Sequence, residues 1–186
     1  MLKVEGLYIY PVKSCRGIRL SASILDRQGL QHDRKWMVVD REGVFVTQRK
    51  FPRMAAIRVS LAGDNLSLSF PDGETVVLPS IAQATPNIKV RVWRDWCLAV
   101  APSKRANQIL SKWLDYDVRI VRMAADFNRF VDSAYTNAPA VTSFSDGFPL
   151  VVVSRPSLQD LNTRLESPLE ISRFRPNLVV EGCHPF

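Results

Sequence analysis

The sequence predicts a mainly β fold with a few helices, of the α+β class. Short apolar or alternating segments, separated by glycine and proline turns, fill the first hundred residues. Many short strands at this spacing are typical of a small barrel or sandwich. Helical periodicity first appears after Ser103, so the character of the chain changes near residue 101.

Two hairpins are predicted in the first part. The polar turn 40–43 separates two apolar segments, and the turn 71–73 separates a strictly alternating segment from a second strand. Residues 88–92 alternate apolar with basic side chains, which is typical of a half-buried strand. The strands predicted in this part are 7–10, 36–39, 44–47, 66–70, 75–78 and 88–92.

The second part mixes helices, strands and a loop. Ser103 is the predicted N-cap of a helix with one apolar face, and 118–121 is a predicted strand. Residues 123–147 lack periodicity and are predicted to form a long loop, the kind of segment that often carries binding groups. The remaining predicted elements are a buried strand at 150–153, a helix capped by 157–160 and a last strand at 177–180.

The composition limits the classes of function. Of the 186 residues, 46% are hydrophobic and 23% are charged, so the chain is expected to fold. No apolar run approaches the roughly 20 residues that cross a bilayer, and the N-terminus does not resemble a secretory signal. No membrane partner is therefore expected. The net charge of +7 favours anionic partners, but a basic surface without a ligand explains it equally well.

The cysteines and histidines do not form a recognisable site. Three widely spaced cysteines and two histidines fit neither a zinc site nor a disulfide framework, and a reducing cytoplasm is the simplest predicted location. Cys183 is interpreted as a small apolar residue beside a turn. Cys15 has basic neighbours and would be reactive only if exposed. We predict no catalytic residue and no metal ligand.

A first basic turn follows the first predicted strand. Lys13 offers a point charge and Ser14 a hydroxyl group, and turn amides can form a concave anion site. The glycine pattern of a Walker A phosphate loop is absent. A solvated basic turn without a ligand is the alternative interpretation.

A second basic segment, His32 to Trp36, leads into a strand. Strand alternation would place Arg34 and Trp36 on the same face. If Trp36 faces the core, Arg34 needs an acid or a ligand as its partner, because an unpaired buried charge is costly. The alternative to a ligand is an ion pair with Asp33 or Asp40.

A third basic segment precedes the last predicted strand. Pro176 is expected to hold Arg175 in an extended conformation, so that the planar guanidinium meets a phosphate or carboxylate in a fixed orientation. Asn177 adds a neutral donor and acceptor. The alternative is a turn in which Arg175 binds backbone carbonyl groups.

These segments resemble a known family. Residues 7–17 (LYIYPVKSCRG), 33–40 (DRKWMVVD) and 45–49 (FVTQR) are similar to the MOSC N-terminal β-barrel domain. Residues 145–149 (SDGFP) and 174–180 (FRPNLVV) resemble the beginning of the MOSC domain that follows it. The combination is similar to bacterial YcbX-type proteins and mitochondrial amidoxime-reducing components.

The resemblance implies an N-terminal β-barrel domain at 1–122 and the beginning of an incomplete MOSC β-barrel domain at 123–186. It implies a molybdenum-cofactor oxidoreductase that reduces N-hydroxylated compounds. The implied cofactor is the pterin-dithiolene molybdenum cofactor (molybdopterin), and the implied redox partner is a flavin or iron–sulfur reductase. The family's motifs fall on the following cofactor-binding residues of this chain: Lys13, Ser14, Arg34, Arg175 and Asn177.

The resemblance also implies that the molybdenum-ligating cysteine lies past residue 186. A chain truncated in this way is expected to hold part of the cofactor cradle, to retain cofactor poorly and to be catalytically silent. The alternative function is a non-catalytic binding module for an anionic ligand or a protein partner. Nucleic acid is not an expected partner, because no aromatic-flanked basic stripe is present. The strand at 177–180 is expected to lack neighbours and to promote self-association through its open edge.

Overall fold

The computed structural model describes residues 1–79 and 87–186. The helices in this part are α1 (Lys104–Leu114) and α2 (Arg155–Thr163), with 3-10 helices at Pro52–Ala56, Ser133–Tyr135 and Ile171–Phe174. The strands are β1 (Lys3–Ile9), β2 (Ile18–Leu20), β3 (Leu25–Asp26), β4 (Gly29–Leu30), β5 (Trp36–Asp40), β6 (Arg58–Ala62), β7 (Asn65–Ser69), β8 (Thr75–Leu78), β9 (Ile88–Val92), β10 (Asp95–Val100), β11 (Val118–Met123), β12 (Arg129–Phe130), β13 (Val141–Thr142), β14 (Val152–Ser154) and β15 (Leu178–Glu181). The mainly β class with a few helices is confirmed.

The strands form several sheets. Two have four strands, in the orders β14-β15-β1-β2 and β5-β11-β10-β9, and a third has the order β6-β7-β8. Two small pairs, β3-β4 and β12-β13, complete the set found in the described part. Within that part the hydrogen-bonded ladders do not join into one closed barrel.

The sheet β5-β11-β10-β9 carries the core on both of its faces. Successive residues of a strand point to opposite faces, so β5 contributes to two apolar clusters. Trp36 and Val38 pack with α1 and the β6-β7-β8 sheet. Met37 and Val39 pack on the other side with the buried Phe144, which belongs to the segment before β14. The segment that reaches the candidate site is therefore anchored in the core.

Several locally encoded elements are confirmed. β7 and β8 pair antiparallel around the predicted turn at 71–73, and β9 alternates buried and exposed residues. Ser103 caps α1, because its hydroxyl oxygen accepts from the backbone N–H of Ala106 at 3.1 Å. The turn at 40–43 also forms, although residues 44–47 contribute only isolated bridges to their neighbours.

Three predictions around α2 and the last strand are wrong. The strand predicted as buried at 150–153 is the edge strand β14, and Val152 is 55% exposed. The N-cap of α2 is Ser154, because Pro156 fits only the first turn of a helix, and Leu165 lies beyond the helix end. β15 does not lack neighbours: it pairs antiparallel with β1 and parallel with β14, so the expected self-association through its edge loses its basis.

Other elements were missed by the sequence analysis. β2, β6 and β10 were not predicted, and the long loop at 123–147 contains β12, β13 and a 3-10 helix. β2, β12 and β13 have only two or three residues, which is too short for a periodic pattern to identify. No helix of the described part is long and apolar enough to span a membrane.

Candidate anion-binding site

The three predicted basic segments meet at one place because backbone pairing brings them together. The backbone N–H of Arg34 donates to the carbonyl of Tyr10 at 2.9 Å, which joins the second segment to the end of β1. The backbone N–H of Tyr8 donates to the carbonyl of Asn177 at 2.9 Å, which joins β1 to the third segment. β1 therefore holds the other two segments in register.

Each segment contains a cleft-lining residue with a left-handed backbone, and His32 in the second segment also has a positive φ of 66°. The φ angles are 71° at Ser14, 47° at Arg34 and 52° at Arg175. This region is uncommon for residues other than glycine, and such strain concentrates at ligand sites. Its recurrence at three converging residues supports a binding role for the place where they meet.

These angles correct two predictions. Arg175 is not extended: it has φ 52° and ψ 48°, because it ends the 3-10 helix Ile171–Phe174 and its N–H donates to the carbonyl of Ser172. Arg34 does not alternate with Trp36 along a strand, because β5 begins only at Trp36 and Arg34 belongs to the preceding turn.

Arg34 is the best-fixed cation of the site. Its Nη1 donates to Asp33 Oδ2 at 2.6 Å and to Asn177 Oδ1 at 2.8 Å, and its Nη2 donates to the carbonyl of Arg175 at 2.9 Å. Asp33, which is 1% exposed, also accepts from the backbone N–H of Tyr10 at 2.7 Å. The ion pair with Asp33 considered from the sequence is thus confirmed, and it orients Arg34 without excluding a ligand.

Arg34 and Arg175 share one aromatic ring. Their guanidinium carbons lie 4.5 and 4.2 Å from the ring centroid of Tyr10, within the range of a cation–π contact. The Nη1 of Arg175 donates to the carbonyl of Cys15 at 2.7 Å. Burial, followed by the charge of Arg34, lowers the pKa of Arg175, although a guanidinium remains protonated in proteins. Two confined like charges favour a bound anion.

Lys13 is held by a different set of partners. It is buried, and its Nζ donates to the carbonyl of Phe144 at 2.9 Å and to Asp146 Oδ1 at 2.6 Å. The indole N–H of Trp93 donates to the same carboxylate oxygen at 3.0 Å. Burial lowers the pKa of Lys13, and Asp146 opposes this effect. Asp146 therefore acts as an internal counterion for a desolvated lysine.

Asn177 lies behind the site and positions its parts. It is fully buried. Its Nδ2 donates to the carbonyl of Tyr8 at 3.1 Å, and its Oδ1 accepts from the backbone N–H of Val151 as well as from Arg34. An asparagine with both amide atoms bonded orients its neighbours, and it does not line the cleft described next.

These side chains surround a cleft of about 410 Å³, here called the anion cleft. Four of the five predicted residues line it, namely Lys13, Ser14, Arg34 and Arg175. Its lining residues that carry charge are five cations and one acid: Lys13, Arg34, Arg49, Arg173, Arg175 and Asp146. The excess of positive charge favours a ligand that carries more than one negative charge.

Two buried polar atoms at this cleft have no partner within the described residues. They are Gln48 Oε1 and Ser145 Oγ, and both residues line the anion cleft. Buried polar groups are rarely left without hydrogen bonds, because the loss of solvation is costly. An amide oxygen and a hydroxyl group beside a set of cations fit a ligand that joins an anionic group to a polar heterocycle.

The sequence analysis missed the residues that hold the 143–146 segment. Arg129 is buried, and it donates to Asp95 Oδ2 at 2.8 Å and to the backbone carbonyls of Ser143, Ser145 and Asp146 at 2.6–3.0 Å. The sequence around Arg129 gives no indication of its role, because its partners lie 14 to 34 residues away along the chain. Asp146 and Gln48 could have been identified from the sequence, since both lie in the segments that resemble the family motifs.

The cysteines do not form a reactive centre at this cleft. Burial raises the pKa of Cys15 to about 12 and that of Cys97 to about 11, so neither thiol is poised to ionise. Cys183 is exposed and is not among the residues that line the cleft. Within the described residues, His, Cys, Asp and Glu do not gather in a group of three or more that could hold a metal ion.

Comparison with known proteins gives two domain matches. The MOSC N-terminal beta barrel domain matches residues 1–117, and the MOSC domain matches residues 139–186. The predicted boundary between 122 and 123 falls between these matches and stays a prediction.

Several curated proteins match almost the whole chain. Mitochondrial amidoxime-reducing component 1 of Mus musculus is 34% identical over 190 residues, an alignment that covers 97% of this chain and 56% of the relative. The Homo sapiens protein of the same name is 32% identical, with 97% and 56% covered. Mitochondrial amidoxime reducing component 2 of Bos taurus is 31% identical, with 98% and 57% covered.

The chain spans a little more than half the length of these relatives. Their names place them in mitochondria, so the cytoplasmic location expected from the cysteines stays a prediction. The domain match covers more than half of the chain, and its segments include the turns that carry Lys13, Ser14 and Arg34. The chain therefore belongs to the family of the MOSC N-terminal beta barrel domain, as its resemblance implied.

Proposed function

We propose that this chain provides the cradle for the molybdenum cofactor of an oxidoreductase that reduces N-hydroxylated compounds. The observation that carries the proposal is the convergence of three cations on one cleft: Arg175 joins Lys13 and Arg34 there, although it lies more than 130 residues from both along the chain. The relatives, named amidoxime-reducing components, support the class of reaction. Amidoximes are N-hydroxylated compounds, and their reduction to amidines removes the hydroxyl oxygen.

The groups that line the anion cleft fit a phosphate-bearing pterin. The cations match the phosphate, and the partnerless Gln48 Oε1 and Ser145 Oγ match the hydrogen-bonding edges of a heterocycle. The cofactor, when bound, supplies a metal centre that accepts an oxygen atom from the substrate and is returned to its reduced state by a redox partner. The residues of this chain bind and orient that group.

Each residue has a distinct proposed role. Arg175 and Lys13 bind the anionic end of the cofactor, and Arg34 helps to position Arg175 because its Nη2 donates to the carbonyl of Arg175. Asn177 positions Arg34 and the end of β1. None of the described residues that line the cleft is a cysteine, so these residues supply cofactor contacts and no thiolate ligand there.

The proposal is tested by anion binding to the 186-residue chain. We expect inorganic phosphate, followed by calorimetry, to bind in the anion cleft and Arg175→Gln to weaken that binding by about tenfold or more, because a charge-assisted hydrogen bond contributes roughly 1.5–3 kcal/mol. Arg105→Gln is the matched control, since Arg105 is an exposed cation on α1 away from the cleft. Equal affinities for the two variants would contradict the assignment.

A second measurement distinguishes a cofactor site from a general anion site. The chain is mixed with molybdopterin released from another molybdoenzyme, separated by gel filtration, and assayed for bound pterin by fluorescence after oxidation. We expect pterin to co-elute with the unchanged chain and with Arg105→Gln, and to be lost from Arg175→Gln. Phosphate binding without pterin retention would instead favour a non-catalytic anion-binding module.

A further inference from the structure

A cavity of about 400 Å³ has no lining residue in common with the anion cleft. We propose that this cavity, called the apolar cavity, binds a small uncharged molecule that has an apolar body and one polar end, of the kind represented by a medium-chain alcohol or amide. The inference goes beyond the proposed function, because it needs neither the cofactor nor the cations of the anion cleft.

The apolar cavity lies where two sheets meet. Ile9 of β1 and the edge strand residue Leu20 of β2 come from the sheet β14-β15-β1-β2, and Leu61 comes from β6 of the third sheet. Ile24, which precedes β3, completes the apolar part of the wall and is 64% exposed. Apolar surface that remains in water favours a ligand with an apolar body. The volume is in the usual range for small molecules.

Three polar side chains of the apolar cavity have unused capacity for hydrogen bonds. The hydroxyl group of Ser23 donates to the carbonyl of Ile24 at a long 3.4 Å. His32 Nδ1 lies 3.9 Å from Asp64 Oδ1, which is beyond the length of a hydrogen bond. The side-chain amide of the exposed Gln31 has no hydrogen-bonding partner among the described residues. A hydroxyl, an imidazole and an amide together offer donors and acceptors to one polar group of a ligand.

The absence of charge distinguishes the apolar cavity from the anion cleft. None of the eight described residues that line it is a lysine, arginine, aspartate or glutamate, whereas five cations and one acid line the anion cleft. A charged ligand would lose hydration in the apolar cavity without gaining a counterion. The carboxylate of Asp64, beside His32, adds a further penalty for an anion. An uncharged ligand therefore fits best.

Backbone hydrogen bonds fix the polar side of the apolar cavity. The N–H of Gln31 donates to the carbonyl of Ile24 at 2.9 Å, and the N–H of Asp33 donates to the carbonyl of Leu30 at 3.0 Å. Between these two donors, His32 has a left-handed backbone with φ 66°. Strained angles of this kind concentrate at ligand sites. The imidazole is thus held at the cavity before a ligand arrives.

Octanol is a suitable probe, because it joins an apolar chain to one hydroxyl group and is uncharged. Binding to the 186-residue chain is measured by calorimetry and saturation-transfer NMR, and three competitors are then tested for displacement of bound octanol. Octanamide keeps the chain and an uncharged end, octanoate keeps the chain with a charged end, and glycerol lacks the apolar body. Competition restricts the comparison to the octanol site, so binding of octanoate to the anion cleft does not affect it.

We expect octanol to bind saturably with one molecule per chain. Octanamide should displace it at least about tenfold more effectively than octanoate or glycerol, because only octanamide matches both the apolar wall and the uncharged polar side. The absence of saturable binding would overturn the proposal. Equal displacement by octanamide and octanoate would overturn it as well.

Two pairs of variants locate the bound octanol. Ala22→Phe places a ring in the apolar cavity, and Ala62→Phe is the matched control, since both alanines are exposed and only Ala22 lines the cavity. Ile24→Gln removes apolar wall, and Leu25→Gln is its control, because Leu25 is equally exposed and does not line the cavity.

Ala22→Phe should weaken octanol binding by about tenfold or more and Ile24→Gln by about threefold or more, while both control variants keep the affinity of the unchanged chain. All four positions are exposed, so the fold is expected to persist, and near-ultraviolet circular dichroism checks it. If octanol bound equally well to all four variants, it would lie on a different surface and the proposal would fail.

Discussion

At the scale of single residues, the site depends on one buried ion pair. Asp33 and Arg34 are both almost inaccessible to water, and each has further hydrogen bonds that fix its orientation. Pairs of this kind contribute little net stability compared with apolar residues, but the removal of one partner leaves an uncompensated charge in the interior. The Asp33–Arg34 pair therefore fixes the orientation of both side chains, and the loss of one partner is expected to destabilise the fold.

Asp33→Asn should accordingly be strongly destabilising. We expect the free energy of unfolding to fall by about 3–5 kcal/mol, because Arg34 would keep its charge without a counterion. Urea unfolding followed by circular dichroism measures the change. Asp117→Asn is the control, since Asp117 pairs with Arg41 at an exposed site and its loss should leave the midpoint almost unchanged. If the free energy of unfolding fell by the same amount in both variants, the buried Asp33–Arg34 pair would be no more important for stability than the exposed pair.

At the scale of elements, the β3–β4 hairpin packs against the segment that forms one wall of the anion cleft. β3 and β4 form a short hairpin in which Gly29 has φ 111°. A Cβ atom at Gly29 would lie 2.5 Å from the carbonyl oxygen of Pro149, which follows Phe148 at the cleft. Only glycine lets these two backbones approach so closely. The hairpin thus supports the segment that carries Asp146 and Phe148.

Gly29→Ala should disturb both stability and binding. Gly73, in the turn between β7 and β8, has φ 91° but free space around it, so Gly73→Ala shows the cost of the backbone angle alone, about 1–2 kcal/mol. We expect Gly29→Ala to cost more than this in thermal or urea unfolding, and to weaken phosphate binding. If the two alanine variants lost the same stability and bound phosphate equally well, the close contact between Gly29 and Pro149 would contribute nothing to either property.

At the scale of the whole molecule, residues from both domain matches are folded together. β1 lies between β2 and β15 in one sheet, and the contacts Lys13–Asp146, Arg34–Asn177 and Arg175–Cys15 cross between the two matched regions. Elements that share a sheet and a buried network are expected to unfold together. The site lies on the seam between the two regions.

We therefore expect one cooperative unfolding transition. Tryptophan fluorescence and far-ultraviolet circular dichroism should give the same midpoint in urea. Phosphate at one hundred times its dissociation constant should raise the free energy of unfolding by about 2.7 kcal/mol, because only the folded state has the anion cleft. Two separated transitions, with phosphate shifting only one of them, would show that the regions fold independently.

The sequence predicted those parts whose causes are local. Ser103 identified the start of α1, and the glycine turn at 71–73 identified the hairpin of β7 and β8. Four of the five residues predicted to bind a cofactor line one cleft, and their role in cofactor binding stays a prediction. The partners of Arg129 and the pairing of β15 were not predicted, because both depend on contacts between distant segments. The left-handed backbone of Arg175 has a local cause, the end of a short 3-10 helix that the sequence analysis did not predict.

The distance between these contacts along the chain has a consequence for biosynthesis. Arg175 and Lys13 are separated by most of the polypeptide, and chain segments emerge from the ribosome in order. Until β15 joins β1, the cleft has neither Arg175 nor the carbonyl that orients Arg34. Pairing between such remote segments is also intrinsically slow. A charged ligand therefore meets the complete anion cleft only after synthesis has passed β15.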